Sequence, residues 1–149
     1  MTRLRTNPIF TYALAMLLSL IGLADALYLT VQHITGQSVK CSVTSGCSVV
    51  LSSAYAMIGG LPTAALGLAA YFVCFSLATL AVFGYQWARL ALAVAVWPMF
   101  LTTLWLLYVQ AFVLRAFCQY CLLSAALTLS LTALVTLEGW QLKAKGQPK

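Results

Sequence analysis

Four apolar runs dominate the chain: Ile9 to Val31, Leu61 to Phe83, Leu90 to Val113 and Phe117 to Leu137. Each reaches or approaches the roughly 20 residues that an α-helix needs to cross a bilayer core. In hydrocarbon every backbone N–H and C=O must find its partner inside the protein, which for isolated runs of this length means helix. The reading is an all-α integral membrane protein, a four-transmembrane-helix bundle. Composition agrees: 63% of the 149 residues are hydrophobic and 7% are charged, against about 25% charged in ordinary globular chains. The net charge of +6 does not point to nucleic acid, because the eight basic residues are scattered and acids are scarce.

The connections set the organisation. Between the first two runs lies "QHITGQSVKCSVTSGCSVVLSSAYAMIGG", predicted as a loop and then a short outer-surface helix from about Ser48 to Ala56. The connections near "GYQWAR" and "LRAF" are short, which makes neighbouring helices antiparallel hairpins. Pro98 is expected to kink the third helix. No internal repeat is visible, and residues 1–149 read as one domain with a flexible cytoplasmic tail at 143–149. The start also resembles a secretion signal, with Ala24-Asp25-Ala26 as a small-x-small site. The apolar run, however, continues through Leu27, Tyr28, Leu29 and Val31, as an anchor's does.

Basic residues in the flanks orient the bundle. Arg3, Arg5, Arg89, Lys143, Lys145 and Lys149 fall on one side, against Lys40 and Arg115 on the other. The positive-inside rule puts both termini in the cytoplasm. "CSVTSGC" and "CQYC" then face outward, into the compartment where disulfides persist.

Four of the five cysteines therefore form two close pairs on one membrane face: Cys41 with Cys47, and Cys118 with Cys121. Residues at i and i+3 share a helix face, with Cys121 roughly 4.5 Å deeper at 1.5 Å rise per residue. A C-x-x-C opening a helix is the layout of a redox dithiol, since the exposed amides there favour thiolate, and Arg115 is expected to add positive charge. The small spacer "SVTSG" lets Cys41 and Cys47 close a ring and move. A mobile outer pair beside a fixed pair at the membrane surface makes a two-electron relay, and a lipid-soluble quinone is the acceptor at that depth. The spacing is compatible with a bond within each pair or with Cys47 joined to Cys118. Two structural staples are the bland alternative, and zinc fits the spacing poorly.

Other residues bear on function. Asp25, the one acid inside an expected span, is a functional-site candidate by its position, open to a structural hydrogen bond or a role in proton uptake. It is also the only site carboxylate for the competing reading, a small four-helix transporter. His33 reads as a solvated interface residue, and Cys74 as a small packing residue.

"CSVTSGC" followed by "SVVLSS", then "GLPTAALGLAAY" and "FCQYC", resembles the bacterial branch of the vitamin K epoxide reductase family over nearly the whole chain. The resemblance implies a bacterial inner-membrane thiol oxidase that supports disulfide formation by reducing quinone. It makes Cys118 and Cys121 the active-site pair, with Cys121 toward the quinone, and Cys41 and Cys47 the loop shuttle. It implies a quinone pocket at Ser53, Thr63, Leu66, Ala70, Leu114 and Cys121, with Ser53 as a hydrogen-bonding residue and no metal. Thr63 stands where vertebrate members carry a substrate-contacting Asn. Ser124, Ala125 and Ala126 replace their Thr-Tyr-Ala, departures that favour plain quinone reduction over epoxide reduction. Many bacterial relatives carry a fused thioredoxin-like domain after the fourth helix. Here the expected partner is a separate periplasmic thioredoxin-like (DsbA-like) protein.

Overall fold

The computed structural model describes residues 7–37, 39, 41, 42 and 46–145, the last four as backbone only. Arg3, Arg5, Lys40 and Lys149 of the orientation argument lie outside the described residues, as does the 146–149 part of the expected tail.

Among the described residues there are five α-helices: α1 (Pro8–Ile34), α2 (Cys47–Leu51), α3 (Thr63–Val82), α4 (Gln86–Tyr108) and α5 (Gln119–Lys145). Four are long and apolar enough to cross a membrane, with α4 continuing through a π-helical turn, Val109–Leu114, to complete its span. Pro8 opens α1 at a position where its missing N–H costs no hydrogen bond. Pro98 lies inside α4, and the helix continues on both sides of it.

The surface segment is more divided than one helix. α2 stops at Leu51 because the Ser53 hydroxyl takes the Val50 carbonyl at 2.7 Å, a local bond that competes with further helix. A 3-10 turn (Ala54–Ala56) follows, then a two-stranded antiparallel hairpin, β1 (Met57–Ile58) with β2 (Leu61–Pro62), paired Met57 to Pro62 and Ile58 to Leu61. Pro62 adopts extended backbone and α3 starts immediately after it.

α1 packs most extensively on α3, and α5 lies against both α1 and α4. Without a hydrophobic drive between helices in lipid, small residues at the contacts permit close approach. Ala15, Ser19, Ala78, Ala81 and Ala88 supply them, all within 1% of full burial. At Gly22 the Tyr71 ring occupies the space that a Cβ would need, so α1 and α3 meet there only because residue 22 is glycine. The Tyr71 hydroxyl in turn reaches Ser124 Oγ at 2.8 Å and Thr128 Oγ1 at 3.0 Å, joining α3 to α5.

The two ends of the bundle differ. At one, Thr11 donates to Glu138 at 2.8 Å and the Arg89 guanidinium lies 5.2 Å from the centre of the Tyr12 ring. At the other, a small second core of Leu29, Val39, Cys47, Val50 and Cys118 encloses the sulfur atoms.

Candidate active site

Two contacts bring the loop to the start of α5. The Ser42 N–H donates to Gln119 Oε1 at 3.2 Å. Gly46 lies so close to the chain before Cys118 that a Cβ would come 2.8 Å from both the N and the O of Phe117. Any larger residue at 46 must therefore lift the loop. Cys47 follows directly as the first residue of α2, which fixes its direction.

The result is a compact sulfur cluster. Cys41 and Cys47 are joined as a disulfide, their Cα atoms 6.0 Å apart, within the usual span for such a bond. The sulfurs of Cys41, Cys47 and Cys118 all lie within 4.8 Å of one another. Cys118 and Cys121 are free thiols. Of the two open pairings, the structure holds the one within the loop pair. Cys47 is 1% and Cys118 0% exposed, whereas Cys41 is half-buried. Three sulfurs at this separation resemble a metal corner, but two of them are bonded to each other, and a metal needs both as thiolates.

Cys118 sits just ahead of α5, its carbonyl accepting the Leu122 N–H at 3.0 Å. Its own N–H donates to Gln110 Oε1 at 3.2 Å. Gln110 is 3% exposed and belongs to the π-helical turn. After that turn Arg115 takes left-handed backbone, φ 48°, and the chain reverses into α5. The Cys118 thiol is held down at about 7, below the ordinary thiol value, chiefly by a hydrogen bond from the Cys121 thiol. Burial opposes this, and the N–H groups of Cys121 and Tyr120 add to it. Arg115, expected to supply the positive charge, is exposed and takes no part in that shift. The helix-start amides and the neighbouring thiol do so instead.

Below the sulfurs lies a cavity of about 420 Å³ with a mostly apolar lining, of the size that small-molecule sites have, about 300–1,000 Å³. Cys121 lines it, and Cys118 does not. Ser53, Thr63, Leu66, Ala70 and Leu114, which the family resemblance groups with Cys121, all border this same space. The Ser53 and Thr63 hydroxyls already donate to the main-chain carbonyls of Val50 and Tyr55, at 2.7 and 3.2 Å. Neither therefore turns its proton to the cavity in this conformation. The polar atom left over is Asp25 Oδ2, buried in the α1 wall with no hydrogen-bond partner.

The family model described as "Vitamin K epoxide reductase family" matches residues 13–136. The chain belongs to the vitamin K epoxide reductase family. Its membership and its cysteine arrangement make it an oxidoreductase with the layout of a thiol oxidase. In this family member the match spans both cysteine pairs, the surface segment and the cavity wall.

Two contributors to the site, and one buried acid at the far end, were missed in the sequence reading. Gln110 is the one amide within the third apolar run, a polar residue at membrane depth that marks a functional position. Tyr71 lines the cavity while holding Ser124 and Thr128, and only the folded packing reveals that. Glu138 lies one residue past the expected end of the fourth span and is 4% exposed.

Proposed function

We propose that the protein is a membrane thiol oxidase that takes electrons from a separate thioredoxin-like protein and passes them to a quinone. The observation that carries this reading is the continuous file of sulfurs. It runs from half-buried Cys41, through buried Cys47 and Cys118, to Cys121 at the wall of an apolar cavity. The bilayer is the bacterial inner membrane, with both termini cytoplasmic and the sulfurs on the outer face, in a single domain. Arg89 lying at the end away from the sulfurs supports that orientation.

Each exchange conserves electrons. The partner's dithiol attacks Cys41, becomes a disulfide and leaves Cys41 and Cys47 as thiols. Cys47 then attacks Cys118 of an oxidised Cys118–Cys121 pair, forming a Cys47–Cys118 bond and releasing Cys121. Cys41 attacks Cys47, restores the loop disulfide and frees Cys118. The lowered Cys118 thiol is the better leaving group in that last exchange. The structure corresponds to the state that follows, with the loop pair oxidised and Cys118 and Cys121 reduced.

A bound quinone supplies a two-electron, two-proton acceptor. The apolar walls suit its ring and tail, and Leu66, Ala70 and Leu114 would flank it. Ser53 and Thr63 would reach it by turning their hydroxyls, and Asp25 Oδ2 is a polar atom still without a partner. Ser124, Ala125 and Ala126 after the C-x-x-C favour quinone over epoxide as substrate.

The test uses purified protein, dithiothreitol or a reduced thioredoxin-fold protein as donor, and a water-soluble ubiquinone analogue. Cys121→Ala and Cys118→Ala are expected to lose quinone reduction by on the order of 1,000-fold or more. Undiminished reduction by Cys121→Ala would sink the scheme. With Cys47→Ala, a trapped mixed disulfide between Cys41 and the protein donor locates the first thiol.

A further inference from the structure

One ionisable group in this cavity is unaccounted for by the relay. Asp25 is 9% exposed on α1, and its Oδ2 is buried without a partner. An unpaired carboxylate at membrane depth is costly to keep and marks a functional position by default. The other acid, Glu138, avoids that position by accepting from Thr11.

Asp25 shares the cavity wall with Cys121, Gln110 and Tyr71. Its charge acts on Cys118, Tyr120 and Cys121 around the start of α5 and on Tyr71 of α3. Tyr55 of the surface segment and His33 of α1 itself are the further titratable side chains that line its cavity among the described residues. α4 contributes only apolar and hydroxyl side chains, and the turn after it contributes Gln110. Leu29 and His33, at i+4 and i+8 from Asp25, line the same cavity, so one stripe of α1 runs from the carboxylate toward the outer end.

We propose that Asp25 is the proton carrier of the site. Its carboxylate takes the Cys121 thiol proton as the Cys118–Cys121 disulfide forms, then gives that proton to an oxygen of the quinone being reduced. Two thiols lose two electrons and two protons, and the quinone gains both. Asp25 moves one proton directly. The Cys118 proton passes to water at the outer end, and a proton from that water completes the quinol. This inference rests on the thiol-oxidase reading.

The experiment compares wild type with Asp25→Asn, a neutral isostere that relieves the unpaired charge, and with Asp25→Glu, which keeps the acid. Infrared difference spectra between the disulfide and dithiol forms, prepared with dithiothreitol and no quinone, should show a protonated-carboxyl band whose amplitude depends on pH. Asp25→Asn should lack it. Quinone affinity, followed by tryptophan quenching, should stay within about threefold in Asp25→Asn, while kcat falls about 100-fold. The wild-type kcat should decline on the acid side, where the carboxyl is already protonated and has no place for the thiol proton. Asp25→Asn should show no such limb, and Asp25→Glu should restore it in part. A wild-type kcat and acid limb in Asp25→Asn, or no carboxyl band in the wild type, overturns the proposal. Parallel loss of quinone affinity and kcat would make Asp25 a binding group and overturns it too. Full activity of Cys121→Ala would instead overturn the thiol-oxidase reading, while the quinone-free infrared band reports on Asp25 separately.

Discussion

The two ends of the bundle solve the same problem in opposite ways. Each buries polar groups where lipid offers no water. At the Glu138 end the acid is partnered: Thr11 donates to the carboxylate, and the Arg89 guanidinium lies over the Tyr12 ring with its Nε left without a hydrogen bond. At the sulfur end they are left reactive: a disulfide beside a lowered thiol, an amide committed to a backbone N–H, and a carboxylate oxygen with no partner. Backbone follows the same division. The left-handed Arg115 and the π-helical turn both occur within ten residues before Cys118, where irregular geometry often accompanies function. The contrast lies in the two acids: Glu138 is held by a hydroxyl donor, and Asp25 Oδ2 faces the reactive end without one.

The contrast predicts that the sulfur end is sensitive to changes of position alone. Gly46→Val places side-chain atoms where the Phe117 backbone already lies, which must separate Cys47 from Cys118. A misplacement of about 1 Å can cost about 100-fold in a reaction that depends on approach. Electron transfer from a thioredoxin-fold donor should fall by about that factor. Quinone reduction driven by dithiothreitol acting on Cys118 and Cys121 directly should be preserved. Equal loss with both donors would mean that the loop does not deliver electrons through Cys47.

Much of this was readable before folding, for reasons that differ by feature. The four spans follow from length and apolarity, and α1, α3, α4 with its π turn, and α5 occupy them. The cysteine pairs follow from spacing, because C-x-x-C and C-x5-C bring sulfurs together locally. Ser53, Thr63, Leu66, Ala70, Leu114 and Cys121 come from four separate stretches, yet they border one cavity. No periodicity connects them, and the family resemblance was what grouped them. The hairpin at Met57–Pro62 was absorbed into a surface helix and the next span, because two-residue strands leave no alternation to read. The role of Gln110 depends on a π-helical turn that shifts register by one residue, something a 3.6-residue pattern does not report. Arg115 illustrates the reverse error: a charge close in sequence to Cys118 is exposed, and the nearby thiol and amides do its expected work.

Gln110 gives the next largest expected effect. Gln110→Leu removes the acceptor for the buried Cys118 N–H, at a cost of about 1–3 kcal/mol, and takes away an amide that also bonds Cys121. Exchange at Cys118 should slow about tenfold, the factor that 1.4 kcal/mol represents. The pH dependence sharpens this. Modification of Cys118 by a small disulfide reagent requires thiolate, so its rate should climb as pH rises through about 7 and level off above it. In Cys121→Ala the principal hydrogen bond to that thiolate is gone, and the inflection should move upward toward the ordinary thiol range. An unchanged inflection would show that the helix-start amides alone hold Cys118 down.

The smallest effect belongs to the Glu138 end. Thr11→Val keeps shape and removes the hydroxyl that donates to Glu138 at 2.8 Å. A buried acceptor is left short of a partner, so thermal or denaturant stability should drop by about 1–3 kcal/mol. Quinone reduction per folded molecule should be unchanged, because Thr11 and Glu138 are at the end of the bundle away from the cavity and are not among its lining residues. Loss of turnover without loss of stability would make Glu138 a second proton-handling acid and erase the difference between the ends. Loss of stability alone would establish that of two buried acids in one small bundle, one is structural because it is partnered, and the other is free to react because it is not.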